Sequence, residues 1–130
     1  MDVRNELKYT TGDEWVRVEG NIATIGVSDY AQSQLSDIVY FEFKVDPGDD
    51  LKKDTPIATM ESVKAAADVN SPVSGKVVEI NEVLSDKFEE INSDPFGSAW
   101  MVKIELKDAA ELAGLMDAAA YTKYCEDRGH

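Results

Sequence analysis

Apolar and polar residues alternate along much of the chain, and this period of two predicts β-strands. Val16 and Val18 alternate with Arg17 and Glu19, which predicts a half-buried strand over 14–19 that carries Trp15 on its polar face. We therefore expect Trp15 to cover a sheet edge or to line a cleft. Further extended segments are predicted at 7–11, 22–27, 38–43, 56–60, 68–70, 76–80 and 100–106.

The clearest alternation lies at 100–106, where Met101, Lys103 and Glu105 form the polar face and the intervening residues form the apolar face. The segment before it, 81–92, is polar and predicts a loop with one turn of helix. This part of the chain is therefore expected to end in a strand that packs one face on the core.

Two parts of the chain change to a helical pattern. Residues 28–35 predict a short helix that the hydroxyl of Ser28 caps. Near the C-terminus, Asp108 is placed to cap a helix that breaks at Gly114, and a second helical segment follows at about 117–126. We expect these last segments to pack on the sheet as a cover.

Many short strands with few helices predict a mainly β fold, either a sandwich or a small barrel. A length of 130 residues fits one domain, 1–130, with a single hydrophobic core. We place that core at about 7–107 and the C-terminal helical extension at about 108–127.

The charge balance restricts the partners. The chain has 26 acidic and 13 basic side chains, a net charge of −13, so it lacks the basic character of nucleic-acid binders and of proteins that bind anionic membranes. No apolar run approaches the roughly 20 residues of a membrane span. No basic segment followed by an apolar one opens the chain, so secretion is not expected.

Residue counts also restrict the chemistry. Cys125 is the single cysteine and His130, at the last position, is the single histidine, so a Ser–His–Asp triad or a zinc site of His and Cys is not expected. The acidic turn at 46–50 lacks the final glutamate of a calcium loop. We therefore predict no metal site, no catalytic residue and no self-contained enzyme.

One lysine, Lys64, stands between two predicted strands and so falls near the tip of a hairpin. Its neighbours Val63 and 65–67 are small or apolar, whereas turn tips favour Gly, Asn, Asp or Pro. Paired strands hold the backbone while the side chain reaches into solvent, which suits a covalently attached swinging cofactor. The alternative is that Lys64 is one more solvated surface charge.

The stretch 61–68, Glu-Ser-Val-Lys-Ala-Ala-Ala-Asp, followed by Ser-Pro-Val-Ser-Gly at 71–75, resembles the lipoyl-attachment region of the glycine cleavage H proteins. Biotin carriers differ, with methionine on each side of the lysine, and lipoyl domains of 2-oxo acid dehydrogenases usually have Asp before it. Further landmarks of the H-protein family occur in order at 14–16, 29–32, 37–39, 92–95 and Trp100.

The resemblance implies a lipoyl/biotinyl-type barrel-sandwich hybrid with a short internal helix and a C-terminal helical extension. It implies lipoate in amide linkage on Lys64, which removes the charge of the lysine. The arm would carry the aminomethyl group of glycine from a pyridoxal-phosphate glycine decarboxylase to a tetrahydrofolate-dependent aminomethyltransferase. Dihydrolipoamide dehydrogenase would then reoxidise the dithiol. The chain itself would be a non-catalytic carrier, expected as a monomer.

The resemblance also implies roles for the neighbours of Lys64 and for a cleft that shelters the arm. A lipoate ligase or octanoyltransferase would recognise the attachment-site neighbours Glu61, Ser62, Val63 and Ala65. By position, Glu14 and Asp68 are candidates to hold a cationic amine in the arm cleft. The chain departs from the family at Asp13, where histidine is common, at Ser36, where glycine is common, and at 44–48.

Two other functions stay open at this point. An H-like protein could relay lipoate or octanoate to other enzymes through the same lysine, and an unmodified interaction module would carry no adduct. Met1 and the lack of an Arg- and Ser-rich leader favour a cytoplasmic bacterial protein, with a mature mitochondrial matrix protein as the alternative.

Overall fold

A computed structural model describes residues 1–128. The single histidine of the sequence, His130, lies outside these described residues. The strands are β1 (Lys8–Tyr9), β2 (Glu14–Glu19), β3 (Ile22–Val27), β4 (Ile38–Phe43), β5 (Asp50–Leu51), β6 (Pro56–Ser62), β7 (Ala66–Asn70), β8 (Gly75–Ile80) and β9 (Val102–Leu106). The helices are α1 (Asp29–Leu35), α2 (Glu90–Ser93) and α3 (Ala118–Arg128), with 3₁₀ turns at Glu82–Ser85 and Ala109–Gly114.

The strands form two antiparallel sheets that pack face to face. One sheet has the order β1-β2-β3-β9-β8-β5 and the other has the order β4-β6-β7. This mainly β sandwich with a C-terminal helix confirms the predicted fold class. Strands β2, β3 and β4 begin and end at the predicted residues because each is a clear apolar–polar run bounded by turn formers.

The main core lies between the two sheets. Fully buried aliphatic side chains come from both sides, among them Ile25 and Ile104 from one sheet and Ile57 and Met60 from the other. Each such side chain removed from water contributes about 1.5–3 kcal/mol, so this layer holds the sheets together.

A second, smaller core lies under α3. Tyr121 and Cys125 of this helix are buried against Tyr9 and Trp15 of the larger sheet, and the rings of Tyr9 and Tyr121 stack with centroids 4.3 Å apart. The predicted helical cover therefore exists. Its first part is a 3₁₀ turn that ends at Gly114, and Asp108 caps it by accepting a hydrogen bond from the amide of Ala110.

The second core corrects the prediction for Trp15. Its side chain is completely buried, and its indole N–H donates a 2.9 Å hydrogen bond to the carbonyl of Pro95. Gly26 on the neighbouring strand makes room, since a Cβ there would lie 2.7 Å from the indole ring. Trp15 does share a face with Arg17, whose guanidinium lies 5.0 Å from its ring, but this face is neither an edge nor a cleft because Phe96 and α3 cover it.

Two smaller predictions are also corrected. Met101 is buried, although the alternation placed it on the polar face, because β9 begins only at Val102 and the backbone before it does not follow the strand period. Val18 is 38% exposed because it lies beside the hairpin turn at the end of β2, beyond the cover of the core. In the described residues, no helix combines the length and apolar composition needed to cross a membrane.

Candidate functional site

Lys64 lies at the tip of the β6–β7 hairpin, as predicted from the sequence. The pairing of these strands ends at Glu61 and Ala66, so the residues between them form the tip. Lys64 is exposed and its neighbour Val63 is 75% exposed, which leaves the amino group accessible to a modifying enzyme. The apolar exposed tip expected from the sequence is therefore present.

The buried hydroxyl of Ser62 fixes the shape of this tip. Its Oγ accepts hydrogen bonds from the amides of Lys64 and Ala65, at 3.3 and 3.1 Å, and donates to the carbonyl of Ala65 at 3.2 Å. The amide of Ser62 donates to the same carbonyl at 2.7 Å. Ser62 therefore supplies the turn chemistry that the alanines lack.

A cleft of about 200 Å³ opens on one side of the hairpin. Its walls are the turn before β2, helix α1, the end of β3 and the hairpin strands, through Gly12, Asp13, Glu14, Val27, Ala31, Gln34, Leu35, Met60, Ala67 and Asp68. Asp68 follows Lys64 by four residues, so the two Cα atoms lie within about 13 Å at the rise of a β-strand. A lysine-borne arm can therefore reach the cleft by folding back along its own hairpin.

The structure brings Glu14 and Asp68 together in this cleft, although they belong to different sheets. Asp68 is exposed, and its Oδ1 accepts a 3.0 Å hydrogen bond from the hydroxyl of Thr59 on the paired strand. Apolar side chains, including Met60 and Leu35, complete the lining. A neutral arm with a cationic end fits these residues, because the apolar lining suits methylenes and the carboxylates suit an amine.

Glu14 is only 4% exposed. Its carboxylate accepts hydrogen bonds from the hydroxyl of Thr10 at 2.5 Å and from the amide of Asn70 at 3.1 Å. Burial raises the pKa of this carboxyl above its ordinary value of 4.5, while the two donors oppose that rise. Glu14 is therefore a desolvated carboxylate with a fixed orientation, which strengthens its interaction with any cation that enters the cleft.

Several contributors to the site escaped sequence reasoning. Thr10, Asn70 and Thr59 orient the two carboxylates, and Gly12 leaves room for Glu14, since a Cβ there would lie 2.9 Å from its Oε1. A second cleft of about 370 Å³ meets the first at Gly12 and Glu14. The apolar–polar pattern of the sequence signals none of these contacts. Among residues 1–128, no cluster of His, Cys, Asp and Glu has the arrangement of a metal site.

A two-sheet β-sandwich that displays an exposed lysine on a hairpin tip, beside a cleft lined by carboxylates, has the architecture of a lipoyl carrier protein. The family model described as "Glycine cleavage H-protein" matches residues 7–128. The chain belongs to this family.

Relatives in plants and bacteria agree with this assignment. The chain is 46% identical over 125 residues to glycine cleavage system H protein 2, mitochondrial, of Arabidopsis thaliana, covering 96% of this chain and 80% of the relative. It is 44% identical over 128 residues to the glycine cleavage system H protein of Anaeromyxobacter sp. (strain K), covering 98% and 99%. The crystal structure of an H protein from Mycobacterium marinum shares the fold, with a TM-score of 0.83, 23% identity and coverage of 98% and 100%.

Proposed function

We propose that this chain is the lipoyl-bearing carrier of a glycine cleavage system and that Lys64 is its attachment residue. The observation that carries the proposal is the pairing of an exposed lysine on an ordered hairpin tip with a carboxylate-lined cleft within about 13 Å of it. Membership of the H-protein family supports the same role. Lipoate in amide linkage would supply a dithiolane end, whose disulfide opens as one sulfur takes the aminomethyl group of glycine and the other becomes a thiol.

The chain's own residues would place and shelter the arm. The Ser62 hydroxyl holds the tip rigid, so Lys64 is presented at a fixed point. In the cleft, the Glu14 and Asp68 carboxylates would bind the cationic amine, and apolar side chains around Met60 would exclude water. We assign no proton transfer or bond cleavage to these residues, because a carrier leaves that chemistry to its partners.

The partners follow from this assignment. A lipoate ligase or octanoyltransferase would recognise the exposed tip, where Glu61, Val63 and Ala65 are exposed beside Lys64 and Ser62 is buried. A glycine decarboxylase with pyridoxal phosphate would load the arm, and an aminomethyltransferase with tetrahydrofolate would unload it. Dihydrolipoamide dehydrogenase would reoxidise it. With a net charge of −13, the carrier would be steered toward basic docking surfaces, and its association rates would fall with salt.

Intact-mass measurement with peptide mapping tests the attachment residue. The chain is co-expressed with a lipoate ligase and lipoate, beside Lys64→Arg and the matched control Lys76→Arg, which changes another exposed strand lysine. We expect one lipoyl group on Lys64 in the wild type and in the control, and none in Lys64→Arg. An unmodified Lys64, under conditions in which the ligase modifies another acceptor domain, would refute the proposal.

The carrier role needs a second measurement with purified partners. Lipoylated protein should support glycine-dependent release of carbon dioxide by a glycine decarboxylase, whereas the unmodified protein and Lys64→Arg should not. If no glycine decarboxylase accepted the lipoylated protein, the glycine-cleavage role would be rejected. The assignment of Lys64 as the attachment residue would still hold.

A further inference from the structure

A chain of hydrogen bonds connects the wall of the arm cleft to the C-terminal helix. The Tyr121 hydroxyl donates to Asp13 Oδ1 at 2.8 Å and contacts Ser28 Oγ at 2.6 Å. Ser28 Oγ in turn accepts the amide of Ala31 at 3.2 Å and so caps α1. Because Tyr121 donates its proton to Asp13, Ser28 is the donor in their contact. Burial, reinforced by the negative charge of Asp13, raises the pKa of Tyr121 and keeps it a donor.

Arg128, in the last turn of α3, adds an ion pair to this series of hydrogen bonds. Its guanidinium pairs with Oδ1 of Asp13 and lies between the rings of Tyr30 and Tyr124, 4.3 Å from each centroid. The side chains of Arg128 and Asp13 are 29% and 18% exposed, so solvent screens the pair less than it would screen a fully exposed one. A planar guanidinium held between two rings has little freedom to leave its partner.

These hydrogen bonds join two walls of the cleft at a point where the amide of Ser28 also donates a 2.8 Å backbone hydrogen bond to the carbonyl of Asp13. Asp13 belongs to the turn before β2 and has a φ of 72°, and it lines the cleft beside Glu14. Helix α1, which supplies Ala31, Gln34 and Leu35 to the opposite wall, has no fully buried residue. Tyr30, Ala31 and Leu35 pack only partly against the two cores, so polar contacts at the ends of α1 also contribute to its position.

The same set of contacts pairs one of the three carboxylates of the cleft with a cation and leaves the other two unpaired. Arg128 neutralises Asp13, whereas among residues 1–128 no lysine or arginine forms an ion pair with Glu14 or Asp68. A cationic end of the arm would therefore meet two unpaired carboxylates and one that α3 has already paired.

We infer that Asp13, Ser28, Tyr121 and Arg128 form a C-terminal clamp that holds the turn before β2 and helix α1 at the separation the arm requires. Tyr121 and Arg128 are thereby positioning residues of the cleft, although α3 contributes no residue to its lining. The role in sheltering the arm rests on the proposed function, whereas the clamp itself is a property of the unmodified chain.

Amide hydrogen exchange on the unmodified protein tests the clamp directly. Arg128→Gln is compared with Lys123→Gln, which removes only an exposed surface pair with Asp127 on the same helix. We expect exchange at Glu14 and along 29–35 to accelerate about three- to tenfold in Arg128→Gln and to stay unchanged in the control. The β8–β9 amides exchange by global unfolding, which also breaks the clamp, so they should accelerate by no more than the same factor. Equal exchange in Arg128→Gln and Lys123→Gln would overturn the inference.

A double-mutant cycle assigns the effect to the pair. Asp13→Asn retains a residue that tolerates positive φ, so the turn can keep its backbone. The effects of Asp13→Asn and Arg128→Gln on α1 exchange should not add in the double variant, because both remove the same contact. Additive effects would show that Arg128 acts elsewhere and would overturn the clamp.

The loaded protein provides the readout specific to positioning. In Arg128→Gln the lifetime of the loaded arm in water should fall several-fold while the extent of lipoylation stays that of the wild type, because the Lys64 tip is untouched. Loosened α1 exchange with an unchanged lifetime would reduce the clamp to a structural role and overturn the positioning claim. If Lys64 accepts no lipoate, the proposed function fails, and hydrogen exchange alone decides the clamp.

Discussion

The Glu14 carboxylate accepts a 3.1 Å hydrogen bond from the backbone amide of Asn70, 56 positions later in the chain. Glu14 begins a strand of the larger sheet, and Asn70 ends the hairpin strand that follows Lys64. This contact ties the base of the lysine-bearing hairpin to the cleft that would receive its arm. The same carboxylate therefore contributes both to the fold and to the site.

Replacing Glu14 tests the structural half of this relationship. In Glu14→Gln an amide N–H₂ must face one of the two donors, Thr10 or Asn70, so one buried donor loses its acceptor. We expect the free energy of unfolding in urea at neutral pH to fall by about 1–3 kcal/mol. The matched control is Glu19→Gln, at the exposed end of the same strand, which should change little. Equal stability of the two variants would contradict the assigned contacts.

The raised pKa of Glu14 predicts a pH dependence with a definite sign. A carboxyl whose pKa is higher in the folded than in the unfolded state binds its proton more tightly when folded. Its stabilising contribution is therefore full below the ordinary value of 4.5 and is lost as pH rises through the raised pKa.

Urea unfolding at a series of pH values measures this effect. The free energy of unfolding of the wild type should fall relative to that of Glu14→Gln as pH rises from about 4.5 through the raised pKa. A difference that is constant across this window, or that grows in favour of the wild type, would show that burial does not govern the titration of Glu14.

Ser62 is expected to control the rate at which Lys64 is modified. Ser62→Ala removes the hydroxyl that binds two amides and a carbonyl of the tip, so the hairpin end should fray and stability should fall by about 1 kcal/mol. We expect lipoylation by a ligase to slow several-fold in a time course followed by intact mass. Ser33→Ala, which removes an exposed hydroxyl from α1, is the control. Unchanged kinetics in Ser62→Ala would remove Ser62 from any role in presenting the lysine.

The sequence predicted the bounds of β2, β3 and β4, the Ser28 cap and the hairpin around Lys64, because each depends on neighbours along the chain. It failed at Trp15, whose burial depends on Phe96 and on α3, both far along the chain. Periodicity shows which residues share a face, but it does not show what covers that face.

The residues of the candidate cleft were likewise only partly predictable from the sequence. Glu14 and Asp68 were identified only because their positions match a known family. Of the groups that orient Glu14, Asn70 lies 56 positions away, and Thr10 is four residues away in a turn where no sequence pattern marks its hydroxyl as a partner. The pairing of Asp13 with Arg128 joins the two ends of the chain and was equally hidden. Among the contacts around the cleft, the capping of α1 by Ser28 is the one that a local sequence pattern predicted.

Gly12 lies beside the cleft because the space there is too small for a side chain, and its backbone conformation does not require glycine. It lacks the positive φ that glycine tolerates, yet a Cβ at this position would lie 2.9 Å from Oε1 and 3.1 Å from Oε2 of Glu14. Gly12→Ala should therefore displace the carboxylate from Thr10 and Asn70 and lower the free energy of unfolding by about 1–3 kcal/mol. Gly114→Ala is the matched control, because a Cβ there meets nothing within 4 Å.

The loaded protein shows whether that displacement reaches the site. If Glu14 holds the amine, Gly12→Ala should shorten the lifetime of the loaded arm in water, whereas Gly114→Ala should leave it unchanged. The measurement is release of ammonia and formaldehyde from lipoylated, loaded protein over time. A Gly12→Ala protein that is destabilised but retains its load as long as the wild type would confine Glu14 to a structural role, with Asp68 left as the carboxylate that binds the amine.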